Sequence, residues 1–381
     1  MQSLHSAGDA LFNRSIRERH LRARNSIRAC CVLALGLLVL SCSSHPPLLP
    51  DMSPGAGSAV PPNYVIVCII HGDADYRFHD PDGNDHKADE EALAGALKVA
   101  QQNSQAEVFI FHEKHRRHLL FVFSRHDGEF YYYRNGQLLA QEAYWRDQGQ
   151  SRFDPEVALY NRFRAKEPSQ PKRLFLYFGH EIPEIGGRGY DASYRDRAFT
   201  VDDLAAGLRL LTPDSTKFDL VVLSTCFNGT PHTISALTPY ARYIMASPAN
   251  LHLSYFDPRP FERLDVGLGD GDVSAFARKC AQSSFDRLTT DIQTEITVAV
   301  YDVDRVKGYV RSVDSVYGHY LTTLQAKSPT SIEHCDCAED SAYVRPTMSD
   351  GVEVLFRSAR FGRSAKKQSH SGWECPKRPV E

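Results

Sequence analysis

From Asn63 onward the chain alternates between two periodicities. YVIVCII (64–70) is an unbroken apolar run, as expected of a strand covered on both faces. A polar loop, HGDADYRFHDPDGNDHK, follows, and ADEEALAGALKVAQQN (88–103) then shows helical spacing. AEVFIFHEK (106–114) predicts a second strand. HLLFVFS (118–124) and GEFYYYRNGQLLAQ (128–141) alternate apolar and polar positions, and the latter contains Asn135-Gly136, a strong hairpin signal. A helix is expected over VALYNRFRAK (157–166), a third core strand over RLFLYFGHE (173–181), and a helix over VDDLAAGLRLL (201–211) with Thr200 as its N-cap. KFDLVVLST (217–225) is the fourth core strand. A short helix through ISALTPYA leads to a short strand, RYIMAS. A helix over 272–288, the strand EITVAVYDV (295–303) and a helix over 306–325 complete the pattern. Strand-helix-strand order with right-handed crossovers gives an α/β fold: an open, mostly parallel sheet with helices on both faces and a β-hairpin insertion. Beyond residue 328 the periodicity dissolves. Residues 329–381 are expected to be an irregular extension to a domain spanning 63–328.

Composition changes this picture little. The chain has 381 residues, 42% hydrophobic and 24% charged, within the range of one large or two small domains. A net charge of −3 argues against a general nucleic-acid binder, which shows a basic surplus.

The N-terminus adds an address. Arg14, Arg17, Arg19, Arg22, Arg24 and Arg28 precede a short apolar run, ACCVLALGLLVL (29–40), too short to span a bilayer comfortably but suited to a secretory signal. Val39-Leu40-Ser41-Cys42 resembles a bacterial lipobox. That resemblance implies removal of residues 1–41, lipidation of Cys42 and a place in the bacterial cell envelope, facing the periplasm or the surface. Residues 42–62 read as a Pro/Gly/Ser tether. A diacylated cysteine anchors firmly where one acyl chain holds weakly.

Of the nine cysteines, Cys30 and Cys31 leave with the signal and Cys42 carries lipid. Export permits disulfides, and Cys335, Cys337 and Cys375 lie close enough in the tail for one bridge. The alternative is zinc on His334, Cys335, Cys337 and Cys375, although C-x-C matches the usual zinc spacing poorly. Cys68 and Cys280 read as core residues. Asp80, Asp82, Asn84, Asp85 and Asp89 suggest calcium but lack the ligand order and terminal glutamate of an EF-hand. The expectation is no cofactor, with calcium at this loop as the alternative.

In an open α/β sheet, function collects at the carboxyl ends of strands. Two ends stand out. RLFLYFG delivers His180, and KFDLVVLST delivers Cys226, a thiol placed where its strand breaks rather than inside it. One strand-to-strand crossover separates them, so both should reach one rim. A thiol needs a base nearby to react near neutral pH, and imidazole can take its proton and later return it to a leaving amine. His71, at the end of the first strand, is a rival expected at the rim of the same cleft. His232 is expected to face solvent.

Strand-His, loop, strand-Cys in this order resembles the clostripain-like family of caspase-type cysteine peptidases. The likeness extends over FTVDDLAAGL, KFDLVVLSTC, NGT, ALTPYARYIMAS and EITVAVYDVDRVKGYVRSVDSVYGHYL, about residues 63–325. It implies Cys226 as nucleophile, His180 as general base and acid, and the backbone N–H groups of Cys226 and Glu181 as oxyanion donors. It implies a peptide or protein substrate. Two departures matter. Glu181 stands where the family usually has glycine, so a carboxylate sits beside the imidazole to raise its pKa, orient it or crowd the substrate. Ser224 stands where members that cut after Arg or Lys carry an acid, two positions before the cysteine. Ser224 cannot neutralise a buried cation, so Asp73 and Asp257 are the loop residues considered for that specificity pocket. The family is often activated by self-cleavage after the histidine; the loop here holds Arg188, Arg195 and Arg197, and the bland reading is a solvated basic loop. The alternative function is a non-catalytic relative that binds peptides or partners. A small-ligand binder of flavodoxin type is disfavoured because acidic HGDADY stands where a phosphate would sit.

Overall fold

The computed structural model describes residues 61–377 except 75, 80–82, 117, 120–122, 149–151, 165–169, 213–215, 252–254, 270–271, 325–331 and 346. The signal region with Cys30 and Cys31, the lipidation site Cys42, most of the tether, and Asp75, Asp80 and Asp82 lie outside the described residues.

One nine-stranded sheet organises the protein. Its strands are β1 (Tyr64–Gly72), β2 (Ala106–Lys114), β3 (Gly128–Arg134), β4 (Gln137–Tyr144), β5 (Lys172–Phe178), β6 (Phe218–Ser224), β7 (Ala241–Ala246), β8 (Ile296–Asp302) and β10 (Val352–Arg357). They lie in the order β10-β8-β7-β6-β5-β1-β2-β3-β4. The five from β7 to β2 are mutually parallel. Antiparallel strands flank them on both sides. The hairpin at Asn135-Gly136 forms as read, with both residues at positive φ. That geometry is what a two-residue turn between twisted strands requires.

Every residue of β1 is buried. Alternate β1 side chains feed two separate apolar layers: Val65, Val67 and Ile69 on one face, Tyr64, Ile66, Cys68 and Ile70 on the other. Helices α1 (Ala88–Gln102), α2 (Asp154–Phe163), α3 (Val201–Leu211), α4 (Pro231–Leu237), α5 (Leu264–Gly267), α6 (Val273–Asp291) and α7 (Val303–Leu324) cover these faces. Thr200 and Asp203 close a capping box at the start of α3. Cys68 and Cys280 sit in the core as expected, and burial pushes the Cys68 thiol up to about 12.

Three expectations are corrected. HLLFVFS forms a small separate hairpin, His118–Leu119 with Phe123–Ser124, not a strand of the main sheet. The segment after 328 is not merely irregular. It contributes β10 to the sheet edge, and its β9 (His334–Asp336) and β11 (Glu374–Pro376) pair as an antiparallel ribbon. Its Cys337 and Cys375 form a disulfide, which removes two of the four zinc ligands considered.

Candidate active site

The sheet reverses its strand order beside β1: β2 lies on one side and the next parallel strand, β5, on the other. Such a switch point opens a crevice at the carboxyl ends of the strands. Across it, Ile70, Phe178 and Ser224 stand in register on β1, β5 and β6. Gly179 N–H donates to Ser224 O at 3.3 Å and carries the ladder one step further. His180 and Cys226 follow two residues after Phe178 and Ser224, so neighbouring strands deliver the imidazole and the thiol to one rim. The half-exposed Cys226 packs on the same apolar layer as Phe178 and Val222.

Asn250 and Leu251 both contact the sulfur. Its S–H donates to Asn250 Oδ1 at 3.3 Å, and the Leu251 N–H donates to Sγ at 3.3 Å. Asn250 lies in the turn after β7, and nothing in MASPAN marked it in the sequence. The chain turns sharply after the thiol. Phe227 adopts φ 51°, and its N–H donates to Ala249 O at 3.3 Å. Gly229 then passes so near β8 that an added Cβ would stand 2.5 Å from Tyr301 Oη and 2.8 Å from Pro248 Cα. That closeness is why NGT carries glycine there. Asn228, also buried, ties this loop to the loop after β5: it accepts from Ile182 N–H and donates to Ile182 O, both at 2.9 Å.

His180 lies against the Tyr76 ring, centroid to centroid 4.2 Å. Burial, then the neighbouring His71, lowers its pKa to about 4. The imidazole is therefore neutral across the physiological range, with its nitrogen lone pair unprotonated. Of the effects open to Glu181, raising the imidazole pKa is not what occurs. The Glu181 carboxyl turns to His334, with Oε1 3.5 Å from Nε2, and burial with Glu184 nearby pushes it up to about 8.

His71 does not line the rim as an exposed residue. It is buried, stacks on Tyr190 at 4.5 Å, and places Nε2 2.9 Å from Asp191. Asp191 belongs to a buried ionic network with Asp73, Glu113, Arg146 and Arg152. Burial opposes its ionisation, but Arg152, His71 and Arg146 together hold its carboxyl well below the usual range. Asp73 is thus not a free pocket carboxylate. It pairs with Arg146 Nη1 at 3.0 Å and accepts from Ser193 N–H and Oγ–H. Asp257 is likewise taken: although burial resists its charge, Arg259 and Ser283 keep it ionised.

Ser224 is buried and accepts from Phe256 N–H at 2.7 Å. It lines a narrow pocket with His71, Tyr76, Phe178, Gly179 and Tyr255, and the carboxylate that reaches this pocket is Asp89. Asp89 accepts from His112 Nε2 at 3.0 Å. Of the loop residues considered for calcium, Asp89 turns to His112 and the exposed Asp85 to His79. His232 is half-buried, with its ring parallel to Tyr317 at 6.3 Å, rather than turned to solvent. In the loop after His180, Arg188 and Arg195 are exposed, but Arg197 donates inward to Arg146 O.

A cavity of about 580 Å³ lies between Phe227 and Asn250 on one side and the C-terminal segment on the other. His334 stacks flat on Phe227, centroids 4.4 Å apart and planes 9° apart. Sequence spacing could not have placed His334 there, because the contact spans more than a hundred residues.

Comparisons with known proteins bear on the fold. No curated protein matches the chain in sequence. An inactive zymogen C11 protease from Parabacteroides distasonis shares the fold, with a TM-score of 0.53 at 12% identity, covering 84% of this chain and 92% of that one. A secreted C11 cysteine protease from Bacteroides thetaiotaomicron, "iotapain", gives a TM-score of 0.45 at 12% identity, covering 69% of this chain and 71% of that one. The model of the clostripain family matches residues 180–358, from the rim histidine through the edge strand β10, and over that span the chain is clostripain-like.

Proposed function

We propose that this chain is a cysteine endopeptidase in which Cys226 attacks the scissile carbonyl and His180 manages the proton. The observation that carries the reading is the delivery of a half-exposed thiol and a neutral imidazole by adjacent parallel strands at the switch point of the sheet. A neutral His180 accepts the thiol proton as sulfur bonds to the carbonyl carbon. The oxyanion is met by the backbone N–H groups of Cys226 and Glu181. The imidazolium then protonates the departing amine, leaving an acyl-enzyme that water hydrolyses with His180 as base. Asn250 holds the thiol between turnovers.

The same proposal places the enzyme in the cell envelope, carried by lipid on Cys42, with peptide or protein substrates and no cofactor. Labelling by a peptidyl acyloxymethyl ketone tests the chemistry. Modification of Cys226 that disappears in Cys226→Ala and falls by at least about 10³-fold in His180→Ala is the expected result, since removal of one member of such a pair costs several orders of magnitude. Labelling indifferent to His180 would instead point to a peptide-binding relative without catalysis. Metabolic incorporation of palmitate, lost in Cys42→Ala, tests the anchor.

A further inference from the structure

Three cysteines of the C-terminal segment meet at the β9–β11 ribbon: Cys335 on β9, Cys375 on β11 and Cys337 just past the end of β9. Cys335 stands directly opposite Cys375 in the antiparallel register, while the disulfide joins Cys375 to Cys337, two residues along. Directly opposed residues bring their Cβ atoms to about 4.5–5.5 Å, close to the ~3.5–4.5 Å of a disulfide. Cys335 is a free thiol, half-buried, in the wall of the cavity beside Phe227.

This ribbon grips the loop that carries Cys226. Glu374 N–H, on β11, donates to Gly229 O at 2.9 Å. His334, which precedes Cys335, lies flat on Phe227, which follows Cys226. Phe227 has a left-handed backbone, uncommon for a bulky side chain and costing on the order of 1–3 kcal/mol. The His334 ring is one of the contacts that keep it there, so a shift of β9 bears directly on the backbone beside the thiol.

We propose that Cys335, Cys337 and Cys375 form a thiol–disulfide exchange switch, in which Cys375 alternates between the other two and the position of β9 sets the conformation of the Cys226 loop. The Cys335 thiolate attacks Cys375 Sγ. The Cys335–Cys375 bond forms as the Cys375–Cys337 bond breaks, and Cys337 leaves as a thiolate that takes up the proton Cys335 gave. Nothing is oxidised or reduced overall, and no external reagent is needed. Burial, with Glu374, Glu339, Asp340 and Asp336 nearby, pushes the Cys335 thiol up to about 12. Exchange is therefore slow at neutral pH and accelerates as alkalinity raises the thiolate fraction.

The test is mass-spectrometric disulfide mapping of the full chain, with free thiols alkylated after acid quenching. At pH 7 the map shows Cys337–Cys375 and free Cys335. After hours at pH 9 it shows a second population with Cys335–Cys375 and free Cys337. Wild-type protein mapped only as Cys337–Cys375 under both conditions overturns the exchange, and this measurement needs no variant to fold. Cys337→Ser forms Cys335–Cys375 in the oxidising buffer that bridges the wild type; two free thiols there overturn it as well. For the coupling, Cys226 alkylation by iodoacetamide differs several-fold between Cys335→Ser and Cys337→Ser, and equal rates overturn that part. None of these readouts needs peptide hydrolysis, so a failure here leaves the proposed activity standing.

Discussion

Two clusters of charged side chains flank the thiol–imidazole rim, and they are built on opposite principles. On the β1 side, Asp73, Glu113 and Asp191 are matched by the guanidinium forks of Arg146 and Arg152, all buried. On the C-terminal side, Glu295, Asp336 and Glu339 share the single ammonium of Lys367 at 3.3, 3.8 and 3.4 Å. There burial pushes the Glu374 carboxyl well up, while Lys367 pulls against it. Planar guanidinium forks satisfy several carboxylates at once in the first cluster. In the second, one point charge serves three carboxylates beside an open cavity. One flank can only be a frame, while the other has room and proton-binding capacity to change state.

The largest effect should come from breaking the frame. Arg146→Met leaves Asp73 and Asp191 short of a partner in a buried site, and removal of one member of such a network costs about 3–5 kcal/mol. Urea denaturation should show that loss as a lower midpoint at unchanged slope. A loss below about 1 kcal/mol would mean that water reaches the network and that the two flanks differ less than their burial suggests.

A pH series distinguishes the flanks next. His180, His334 and His370 all have pKa values of about 4, chiefly through burial. The unfolded chain binds protons at these sites below its ordinary value near 6.5, while the folded chain does not until about 4. Their contribution is complete above pH 6.5 and is lost as pH falls toward 4. Glu181, at about 8, and Glu374, also raised, act in reverse: the folded chain holds their protons, and that contribution is lost as pH rises from about 4.5 through 8. The C-terminal flank should therefore be most protected from hydrogen exchange at about pH 6, weakening on both sides. The β1 flank should stay level, because Asp191 remains ionised well below its ordinary value. Parallel pH profiles for both flanks would refute the contrast. The same His180 value predicts that labelling of Cys226 declines only as pH falls through about 4, where the imidazole can no longer accept a proton.

These contrasts also mark what could be read from the sequence. Continuous apolar runs such as YVIVCII announce buried parallel strands, and strand order alone set His180 and Cys226 just past the ends of neighbouring strands. Edge strand β10 was not legible, because VEVLFR is half-exposed along most of its length and has neither a continuous run nor clean alternation. The two charge clusters were invisible for another reason. Asp73, Arg146 and Asp191 are tens of residues apart, so an acid in HGDADY reads equally well as a pocket carboxylate or a buried ion-pair partner. Asp89 reads in the sequence as part of an acidic loop cluster, and only the fold sets it in one pocket with Ser224. The cysteine trio was half legible: proximity in the tail suggested one bridge, but the choice of partner depends on the register of a three-residue ribbon.

The smallest effect is the most local. If the C-terminal flank acts on Cys226 through the stack of His334 on Phe227, the flat ring matters and its nitrogens do not. His334→Ala should remove a contact worth about 0.5–1.5 kcal/mol and free Phe227 to leave its left-handed conformation. Alkylation of Cys226 should then change by a few-fold, with a lowering of the melting temperature of no more than a few degrees. His334→Phe keeps a ring over Phe227 and loses only the 3.5 Å approach to Glu181, so it should behave as wild type. Should phenylalanine instead match alanine, the operative contact would be the one between His334 and Glu181, and the proton shared by that pair, rather than the stack, would link the C-terminal flank to the thiol.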